Sequence, residues 1–327
     1  MRRTWPGRTL PLWRRTPIPH DQRTRGGTQR ILVIRLSALG DFVQSFGPFA
    51  AIRRAHPNAR ITLLTTRPFV ELARLAPWFD HVEVDHRPRW TDLAGVLALR
   101  RQLRGYDRVY DLQTSGRTAR YFWLAGRPVW SGHVAGAAFL HANPWRNIMH
   151  TRPRQRDQLR MAGVAPVDRP DLSWLVEGGP QLPAPYALLV PGAAPHRPQK
   201  RWPVEHYGQL AALLVERGIT PVIVGSAAEQ PLAAAIMQHC PQARDLTGQT
   251  SLPELAGLAA RAWGAVGNDT GPMHLAAEVG CRCLVLFSRA STPARTAPLG
   301  YRPGQVEVLW VRDLALLSLQ RVAAALW

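Results

Sequence analysis

Lysine is almost absent from this chain, and acidic residues are scarce. Of the 327 residues, 41 are Lys or Arg and 22 are Asp or Glu, and only Lys200 among the 41 is a lysine, so the formal net charge is +19. Such an excess of arginine favours anionic partners such as phosphorylated sugars, acidic lipids or nucleic acid. Codon usage in a GC-rich genome would produce the same excess, so charge alone does not choose a function.

Cysteine is also rare, and long apolar runs are missing. The three cysteines, Cys240, Cys281 and Cys283, are odd in number and lack the spacing of a zinc site or a disulfide framework. This usage is typical of a reducing cytoplasm. No stretch approaches the ~18 apolar residues of a transmembrane helix, so we expect no membrane span.

Four common catalytic motifs are missing. No Gly-x-Gly-x-x-Gly follows a strand-like run, and no Gly-x-x-x-x-Gly-Lys-[Ser/Thr] is present. These absences argue against a nicotinamide dehydrogenase and a P-loop nucleotidase. The sequence also lacks Asp-x-Asp, which would hold Mg²⁺ on a diphosphate, and the Gly-x-Ser-x-Gly turn of many hydrolases.

The chain divides into a basic tail and two segments of alternating strands and helices. Residues 1–29 carry seven arginines against one acid and have no apolar segment, so we expect a disordered tail. Apolar strand runs then alternate with helical patterns over 30–176 and again over 186–327, separated by a Gly/Pro-rich linker at 177–185. This pattern predicts an α/β protein with two Rossmann-like, doubly wound domains facing across a cleft. We expect its last helix, 314–326, to pack back on the N-terminal domain.

The turn after the first strand, 35–41, is one candidate for chemistry. Parallel sheets bind ligands beyond the carboxyl ends of their strands, where this turn lies. Gly40 permits close approach of another group, and Asp41 lies at the start of a helix. Asp41 is either a general base facing the cleft or a simple N-cap.

A second strand-to-helix turn, 267–274, resembles a phosphate site. Backbone N–H groups at a helix N-terminus bind phosphate, and Thr270 and Gly271 lie at that position. Asp269 and His274 add polar groups to the same turn. The alternative is a capped turn with His274 on a helix face.

Lys200 lies in the loop after the first strand of the second segment. Its compact ammonium suits a diphosphate differently from a planar guanidinium. The alternative is a chance surface lysine, but its place beyond a strand's carboxyl end favours the functional interpretation.

Taken in order, these segments resemble the ADP-heptose:lipopolysaccharide heptosyltransferase family, glycosyltransferase family 9. The similarity runs from residue 30 to the last helix, and its segments are 31–41 (ILVIRLSALGD), 106–113 (YDRVYDLQ), 191–193 (PGA) with 200–203 (KRWP), 245–248 (DLTG) and 268–277 (NDTGPMHLAA). The resemblance implies the two-lobed GT-B fold, with an acceptor-binding N-lobe and a nucleotide-sugar-binding C-lobe. It also implies inverting transfer without a metal.

The resemblance assigns roles to individual residues. Asp41 would be the general base, and Lys200, also catalytic, would contact the donor's diphosphate or its sugar. The donor is expected to be ADP-heptose, and no cofactor is expected besides this nucleotide-sugar co-substrate. The residues expected to contact the donor are Gly192, Lys200, Glu229, Asp269, Thr270, Gly271 and His274. A lipid-linked phosphorylated glycan acceptor would contact Ser37, Gly40 and Arg120.

The expected place of work is the cytoplasm, at the inner face of the membrane. Contact with anionic lipid would come from the basic tail or from the arginines of the N-lobe cluster Arg146, Arg152, Arg154, Arg156 and Arg160. The alternative is that these arginines form an ordinary solvated helix face.

Two departures from the family pattern leave alternatives open. Gln44 stands where the family usually has His, and 287–293 (FSRASTP) lacks the family's Gly and acidic residue. A family member with an altered donor, or without turnover, therefore remains an alternative. A basic nucleic-acid-binding protein is the alternative of another class, although no ribonucleoprotein motif or zinc finger is present.

Overall fold

The structure is a computed structural model that describes residues 28–194 and 196–327. The predicted basic tail, 1–29, lies almost wholly outside the described residues. Two six-stranded parallel sheets make up the fold, each covered by helices. We call the first sheet with its helices the N-lobe and the second sheet with its helices the C-lobe. The prediction of an α/β fold with two doubly wound units is confirmed.

The N-lobe sheet has the order β3-β2-β1-β4-β5-β6. Its strands are β1 (Arg30–Ile34), β2 (Arg60–Thr65), β3 (His81–Val84), β4 (Arg108–Asp111), β5 (Trp130–Gly132) and β6 (Phe139–Leu140). Its helices are α1 (Leu39–Val43), α2 (Phe46–Ala55), α3 (Val70–Leu75), α4 (Leu93–Leu103), α5 (Gly116–Leu124), α6 (Thr151–Met161) and α7 (Ser173–Val176). The central strand β1 is buried after its first residue, as expected for a parallel strand covered on both faces.

The C-lobe sheet has the order β12-β11-β10-β7-β8-β9. Its strands are β7 (Tyr186–Val190), β8 (Thr220–Ile223), β9 (Arg244–Asp245), β10 (Gly264–Asn268), β11 (Cys283–Phe287) and β12 (Val306–Trp310). Its helices are α8 (Val204–Glu216), α9 (Gln230–His239), α10 (Leu252–Arg261), α11 (Gly271–Glu278), α12 (Pro293–Thr296) and α13 (Leu319–Ala324). The central strand β1 thus leads into α1, which carries Asp41, and the central strand β7 leads into the segment that carries Lys200.

The helix expected over 42–54 is two helices. Helix α1 ends at Val43 and α2 begins at Phe46. Proline lacks an N–H and is tolerated only in the first turn of a helix, so Pro48 forces a new helix to start just before it. The short α1 is therefore free to take its own direction.

The last helix differs from the prediction in extent and in place. A 3₁₀ turn at Leu314–Leu316 precedes α13, because Asp313 and Ser318 each accept a backbone N–H and start separate elements. Helix α13 packs on α8, and Val322 is buried in the C-lobe core. The expectation that the last helix packs back on the N-lobe was wrong.

The two lobes share one hydrophobic core. Buried residues of β1, such as Ile31 and Val33, belong to the same cluster as Leu188 and Val190 of β7. The expected linker is also packed, since Arg261 of α10 donates to the carbonyl oxygens of Val176 and Gly178. The domain boundaries at 176 and 186 stay a prediction, but the chain between them is anchored on the C-lobe.

The linker packs so closely that one glycine of α10 should be irreplaceable. A Cβ added at Gly257 would lie 1.8 Å from the Gly178 carbonyl oxygen. We expect Gly257→Ala to lower the free energy of unfolding by about 1–3 kcal/mol, measured by chemical denaturation, because backbone must move to admit the methyl group.

The matched control is Gly116→Ala in the first turn of α5. An added Cβ there meets nothing within 4 Å, so this variant should be as stable as the parent or slightly more stable. Equal stability of the Gly257→Ala variant and the parent would contradict this prediction, because it would show that the linker backbone at Gly178 can move without cost.

Candidate active site

The two turns singled out in the sequence face each other where α1 packs on α11. A Cβ on Gly40 would lie 2.6 Å from Cδ2 of His274, and one on Gly271 would lie 2.6 Å from Cβ of Leu39. Each glycine therefore makes room for a side chain from the other lobe. This contact places Asp41, next to Gly40, at the junction of the lobes.

Asp41 is paired with a buried arginine and does not cap a helix. Helix α1 has Ala38 at its N-cap and no side-chain cap. The Asp41 carboxylate instead lies 3.2 Å from Nη2 of Arg35 and accepts a long hydrogen bond, 3.5 Å, from the Thr151 hydroxyl. The Asp41 side chain is 41% exposed, so its carboxylate is held in place and still open to a ligand. The N-cap alternative was wrong.

Arg35 is the partner that the sequence analysis missed. It lies just after β1, is 2% exposed, and donates from Nη1 to the Leu112 carbonyl oxygen at 2.5 Å. Burial lowers the pKa of Arg35, and the charge of Asp41 opposes this shift. A charged residue ending a run of buried strand residues was the available signal, because a buried charge requires a partner.

Helix α6 connects this aspartate to the C-lobe. Thr151, its first residue, contacts Asp41, and Arg152 forms an ion pair with Glu278 of α11. His150, just before the helix, has Nε2 at 2.8 Å from the Ala297 carbonyl oxygen in the C-lobe. Burial raises the pKa of Glu278, and Arg152 opposes that shift.

Burial excludes two of the five arginines of the N-lobe cluster from the expected membrane contact, which for the others stays a prediction. Arg146 and Arg152 are buried, Arg154 and Arg156 are half-buried, and only Arg160 is exposed. Arg156 is paired with Asp168. Arg152 is buried because it pairs with Glu278 of the C-lobe, so it is not part of a basic face on α6.

Lys200, Asp269 and Ser291 form a second polar cluster. The Lys200 ammonium lies 2.5 Å from Oδ2 of Asp269, and the Ser291 hydroxyl donates to the same oxygen at 2.6 Å. Lys200 is thus no chance surface residue. Ser291 was missed because it lies in the divergent segment 287–293, and only the fold brings that segment to Asp269.

Asn268 connects the loops that carry these groups. Its Nδ2 donates to the carbonyl oxygen of Pro191 at 2.8 Å, and its Oδ1 accepts the backbone N–H of Trp202 at 3.0 Å. Asn268 is fully buried at the end of β10. The loop with Lys200 and the turn with Asp269 are therefore fixed relative to each other.

The N-terminus of α11 offers an anion fewer free backbone N–H groups than the sequence indicated. Thr270 is the N-cap, but its hydroxyl does not cap the helix and is available to a ligand. Pro272 removes one N–H from the first turn, and Met273 donates its N–H to the Thr270 carbonyl oxygen. The N–H of Gly271 therefore matters most to the predicted diphosphate contact.

His274 lies between the lobes. It is 6% exposed, and its Nδ1 is 3.2 Å from Nε2 of Gln44. Burial lowers its pKa to about 4, so the ring is neutral near pH 7. Its role as a donor ligand stays a prediction, and its observed contact is the one between α1 and α11.

Gly192 and Glu229 are neighbours at the edge of the C-lobe site. A Cβ on Gly192 would lie 2.8 Å from Cγ of Glu229. The Glu229 carboxylate accepts the N–H of Ser226 at 2.8 Å and its hydroxyl at 2.5 Å. One carboxylate oxygen is thus used in a capping box, and the predicted ligand contact would fall to the other.

Two of the predicted acceptor residues have partners within the N-lobe. The Ser37 hydroxyl accepts from Nη2 of Arg87 at 2.7 Å. Arg120 is exposed on α5, and its guanidinium lies over the ring of Trp90, 5.1 Å from the ring centroid. The structure does not bring Arg120 into contact with Ser37 or Gly40.

Two further observations concern metal ligands and cavities. Within 28–194 and 196–327, no group of three or more His, Cys, Asp or Glu side chains could hold a metal ion. A cavity of about 450 Å³ lies beside Glu278 and Tyr301 and is lined also by Arg169. None of the predicted donor or acceptor residues lines this cavity.

Comparisons with known proteins identify the family of this chain. A model of glycosyltransferase family 9 (heptosyltransferase) matches residues 145–312. Lipooligosaccharide heptosyltransferase 2 of Haemophilus influenzae is 28% identical over 305 residues, covering 82% of this chain and 86% of the relative. Lipopolysaccharide heptosyltransferase 2 of Escherichia coli is 27% identical over 317 residues, covering 86% and 88%.

Solved structures share the fold. The structure titled E. coli ADP-heptose LPS heptosyltransferase II has a TM-score of 0.71 at 23% identity, covering 91% of this chain and 97% of that one. E. coli heptosyltransferase WaaC with ADP has a TM-score of 0.77 at 21% identity, covering 90% and 98%. The chain belongs to glycosyltransferase family 9, the heptosyltransferase family, and is a glycosyltransferase.

The buried neutral His274 should make stability depend on pH. Its folded pKa of about 4 lies below the ordinary value of 6.5, so the unfolded chain takes up a proton first as the pH falls. The free energy of unfolding should therefore drop between about pH 6.5 and pH 4, by up to about 3 kcal/mol from this residue. Urea denaturation at several pH values measures this slope.

The His274→Asn variant should show a shallower slope than the parent over the same pH range. His56, whose pKa is also lowered to about 4 by burial, continues to titrate in that variant. An unchanged slope in His274→Asn would contradict the assignment of a neutral buried ring.

Proposed function

We propose that this glycosyltransferase moves a heptose from ADP-heptose to a growing lipopolysaccharide core, with inversion at the anomeric carbon and without a metal. One observation carries the proposal. The partly exposed carboxylate of Asp41 lies on the helix that packs against α11, and the turn into α11 carries Asp269 with its partner Lys200. A base and a cationic donor site therefore meet at one junction.

The reaction is a single displacement. The acceptor hydroxyl oxygen forms a bond to the anomeric carbon while the bond from that carbon to the diphosphate oxygen breaks. The hydroxyl proton passes to Asp41, and the bonding electron pair leaves with ADP. Attack from the face opposite the leaving group inverts the anomeric configuration.

Charge on the leaving diphosphate needs stabilisation. Lys200 supplies a positive charge, and the Thr270 hydroxyl and Gly271 N–H supply hydrogen-bond donors at the α11 terminus. Asp269, held by Lys200 and Ser291, has its carboxylate placed to accept hydrogen bonds from sugar hydroxyls. Gly192 and Glu229 lie beside this region on the adenosine side of the proposed site.

The substrates are proposed from the relatives. Two curated relatives are named lipooligosaccharide or lipopolysaccharide heptosyltransferase 2, and two solved neighbours are described as complexes with ADP or with ADP-2-deoxy-2-fluoro heptose. The acceptor is then a lipid-linked, phosphorylated glycan at the inner face of the cytoplasmic membrane, approached from the cytoplasm. Within the described residues, no helix is long and apolar enough to cross that membrane.

The divergent segment 287–293 supports retained donor chemistry. It lacks the family's acidic residue, yet Ser291 from this segment contacts Asp269. A hydroxyl group thus orients the carboxylate expected at the sugar. This contact favours an active enzyme over one without turnover.

Replacing the proposed base should stop transfer and spare donor binding. We expect Asp41→Asn to lower kcat by ~10²–10⁴-fold, because the amide cannot take the hydroxyl proton. ADP binding, measured by calorimetry, should change less than about twofold, since Asp41 contacts the acceptor side. The matched control is Asp92→Asn, because Asp92 caps α4 and asparagine caps equally well. Full turnover in Asp41→Asn would remove Asp41 from the mechanism.

Replacing Lys200 should affect the leaving group. We expect Lys200→Met to lower kcat by ~10²–10³-fold in steady-state transfer assays, because it removes one stabilising charge. Lys200→Arg should retain more activity than Lys200→Met but less than the parent, since the planar group is wider than an ammonium. Equal rates for Lys200→Met and the parent would assign the charge stabilisation elsewhere.

A further inference from the structure

Helix α4 turns an apolar stripe to the solvent. Its buried residues are Leu99 and Leu103, which pack in the N-lobe core. On the opposite side, Leu93 is 74% exposed and Leu97 is 52% exposed, and both are large side chains one turn apart. A surface helix of a globular protein normally places polar residues there. The stripe is therefore unusual and needs a partner.

Two exposed tryptophans lie on the same part of the N-lobe, one just before α4 and one on α5, which contacts α4. Trp90, just before α4, is 36% exposed, and Trp123 on the neighbouring helix α5 is 56% exposed. Arg117 and Arg120 lie over the ring of Trp90, and Arg127 lies over that of Trp123. Each tryptophan thus presents apolar area with a guanidinium beside it.

The surroundings of this patch are mostly basic, with the exposed N-cap residue Asp92 as the acid between Trp90 and Leu93. Neither α4 (LAGVLALRRQL) nor α5 (GRTARYFWL) contains an acidic residue. The two helices contact each other, and the Arg104 guanidinium at the end of α4 lies 4.0 Å from where a Cβ on Gly126 after α5 would be. We define the α4–α5 surface by its apolar centre, Trp90, Leu93, Leu97 and Trp123, and its exposed arginines, Arg89, Arg100, Arg101, Arg104, Arg120 and Arg127.

We propose that the α4–α5 surface docks the enzyme on the anionic face of a lipid bilayer. Leucine side chains enter the acyl boundary, tryptophans stay at the headgroup level, and arginines pair with lipid phosphates. This arrangement requires apolar centre and basic surroundings together, and the surface has both. Within the N-lobe cluster, by contrast, Arg146 and Arg152 are buried and Arg156 is paired with Asp168.

A second copy of the chain fits this surface less well. In a twofold dimer the same patch meets itself, so the arginines of one copy would face those of the other. Like charges brought together oppose association, whereas lipid phosphates are complementary to them. The charge pattern therefore favours the bilayer.

The docking inference rests on the proposed function only for the identity of the lipid-linked acceptor. Binding to vesicles needs no catalysis, and transfer to a soluble, delipidated acceptor needs no membrane. Vesicle binding therefore tests the docking surface, and transfer to the soluble acceptor tests the proposed function, each independently of the other. Asp41→Asn should lose transfer and keep vesicle binding, and variants of the α4–α5 surface should do the reverse.

The test is sedimentation of the full-length protein with vesicles of phosphatidylglycerol and phosphatidylcholine, or of phosphatidylcholine alone. We expect binding to the anionic vesicles and at least ~10-fold weaker binding to the neutral ones. The double variant Leu93→Gln/Leu97→Gln should weaken anionic binding by ~10-fold or more. Arg100→Gln/Arg101→Gln should weaken it similarly and reduce its salt dependence.

The matched control lies on the C-lobe. Leu316 is 81% exposed and Arg321 is exposed on α13, so Leu316→Gln/Arg321→Gln changes the same residue types away from the α4–α5 surface. This variant should bind vesicles like the parent. All variants keep the basic N-terminal segment, so its contribution is common to them.

Three results would overturn the proposal. The first is equal vesicle binding by the parent and both α4–α5 variants. The second is a dimer in sedimentation velocity that Leu93→Gln/Leu97→Gln dissociates, which would assign the surface to a second copy. The third is displacement of the protein from vesicles by oligonucleotide at physiological salt, which would assign it to nucleic acid. Circular dichroism of each variant confirms that it is folded.

Discussion

The candidate site depends on the close packing of α1 against α11. The His274 ring packs where a side chain of Gly40 would lie, and Leu39 packs where a side chain of Gly271 would lie. Because Asp41 follows Gly40 and Asp269 precedes Gly271 by two residues, this one contact sets the separation of the proposed base and the donor site. A side chain at either glycine would force the lobes apart, since both neighbours are packed and cannot retreat freely.

A second connection fixes the orientation of the lobes about that contact. Arg152 and Glu278 form a buried ion pair between them, and the Tyr301 hydroxyl donates to the same carboxylate. Separating a buried pair would leave an uncompensated charge, which is costly. Thr151, next to Arg152 in the chain, contacts Asp41. The position of the C-lobe is thus transmitted to the proposed base through one turn of α6.

Much of the fold was predictable because its signals are local. Apolar runs marked the strands, and the turns after β1, β7 and β10 marked the edge where ligands bind. The contacts that the sequence analysis missed are made between residues far apart in the chain. Arg35 for Asp41 and Ser291 for Asp269 could not be read from spacing, and the buried state of Arg146 and Arg152 is invisible in a charge count. Pro48 did carry a local signal for the break between α1 and α2.

Arg35 sets the direction from which an acceptor can reach Asp41. The Arg35 guanidinium lies 3.2 Å from one carboxylate oxygen of Asp41 and so occupies one side of that group. Arg35 cannot withdraw, because it is buried and tied to the Leu112 carbonyl oxygen. The exposed side of the carboxylate is the only one that an acceptor hydroxyl can approach. Proton transfer there becomes favourable as the new glycosidic bond forms, because the hydroxyl grows more acidic along that path.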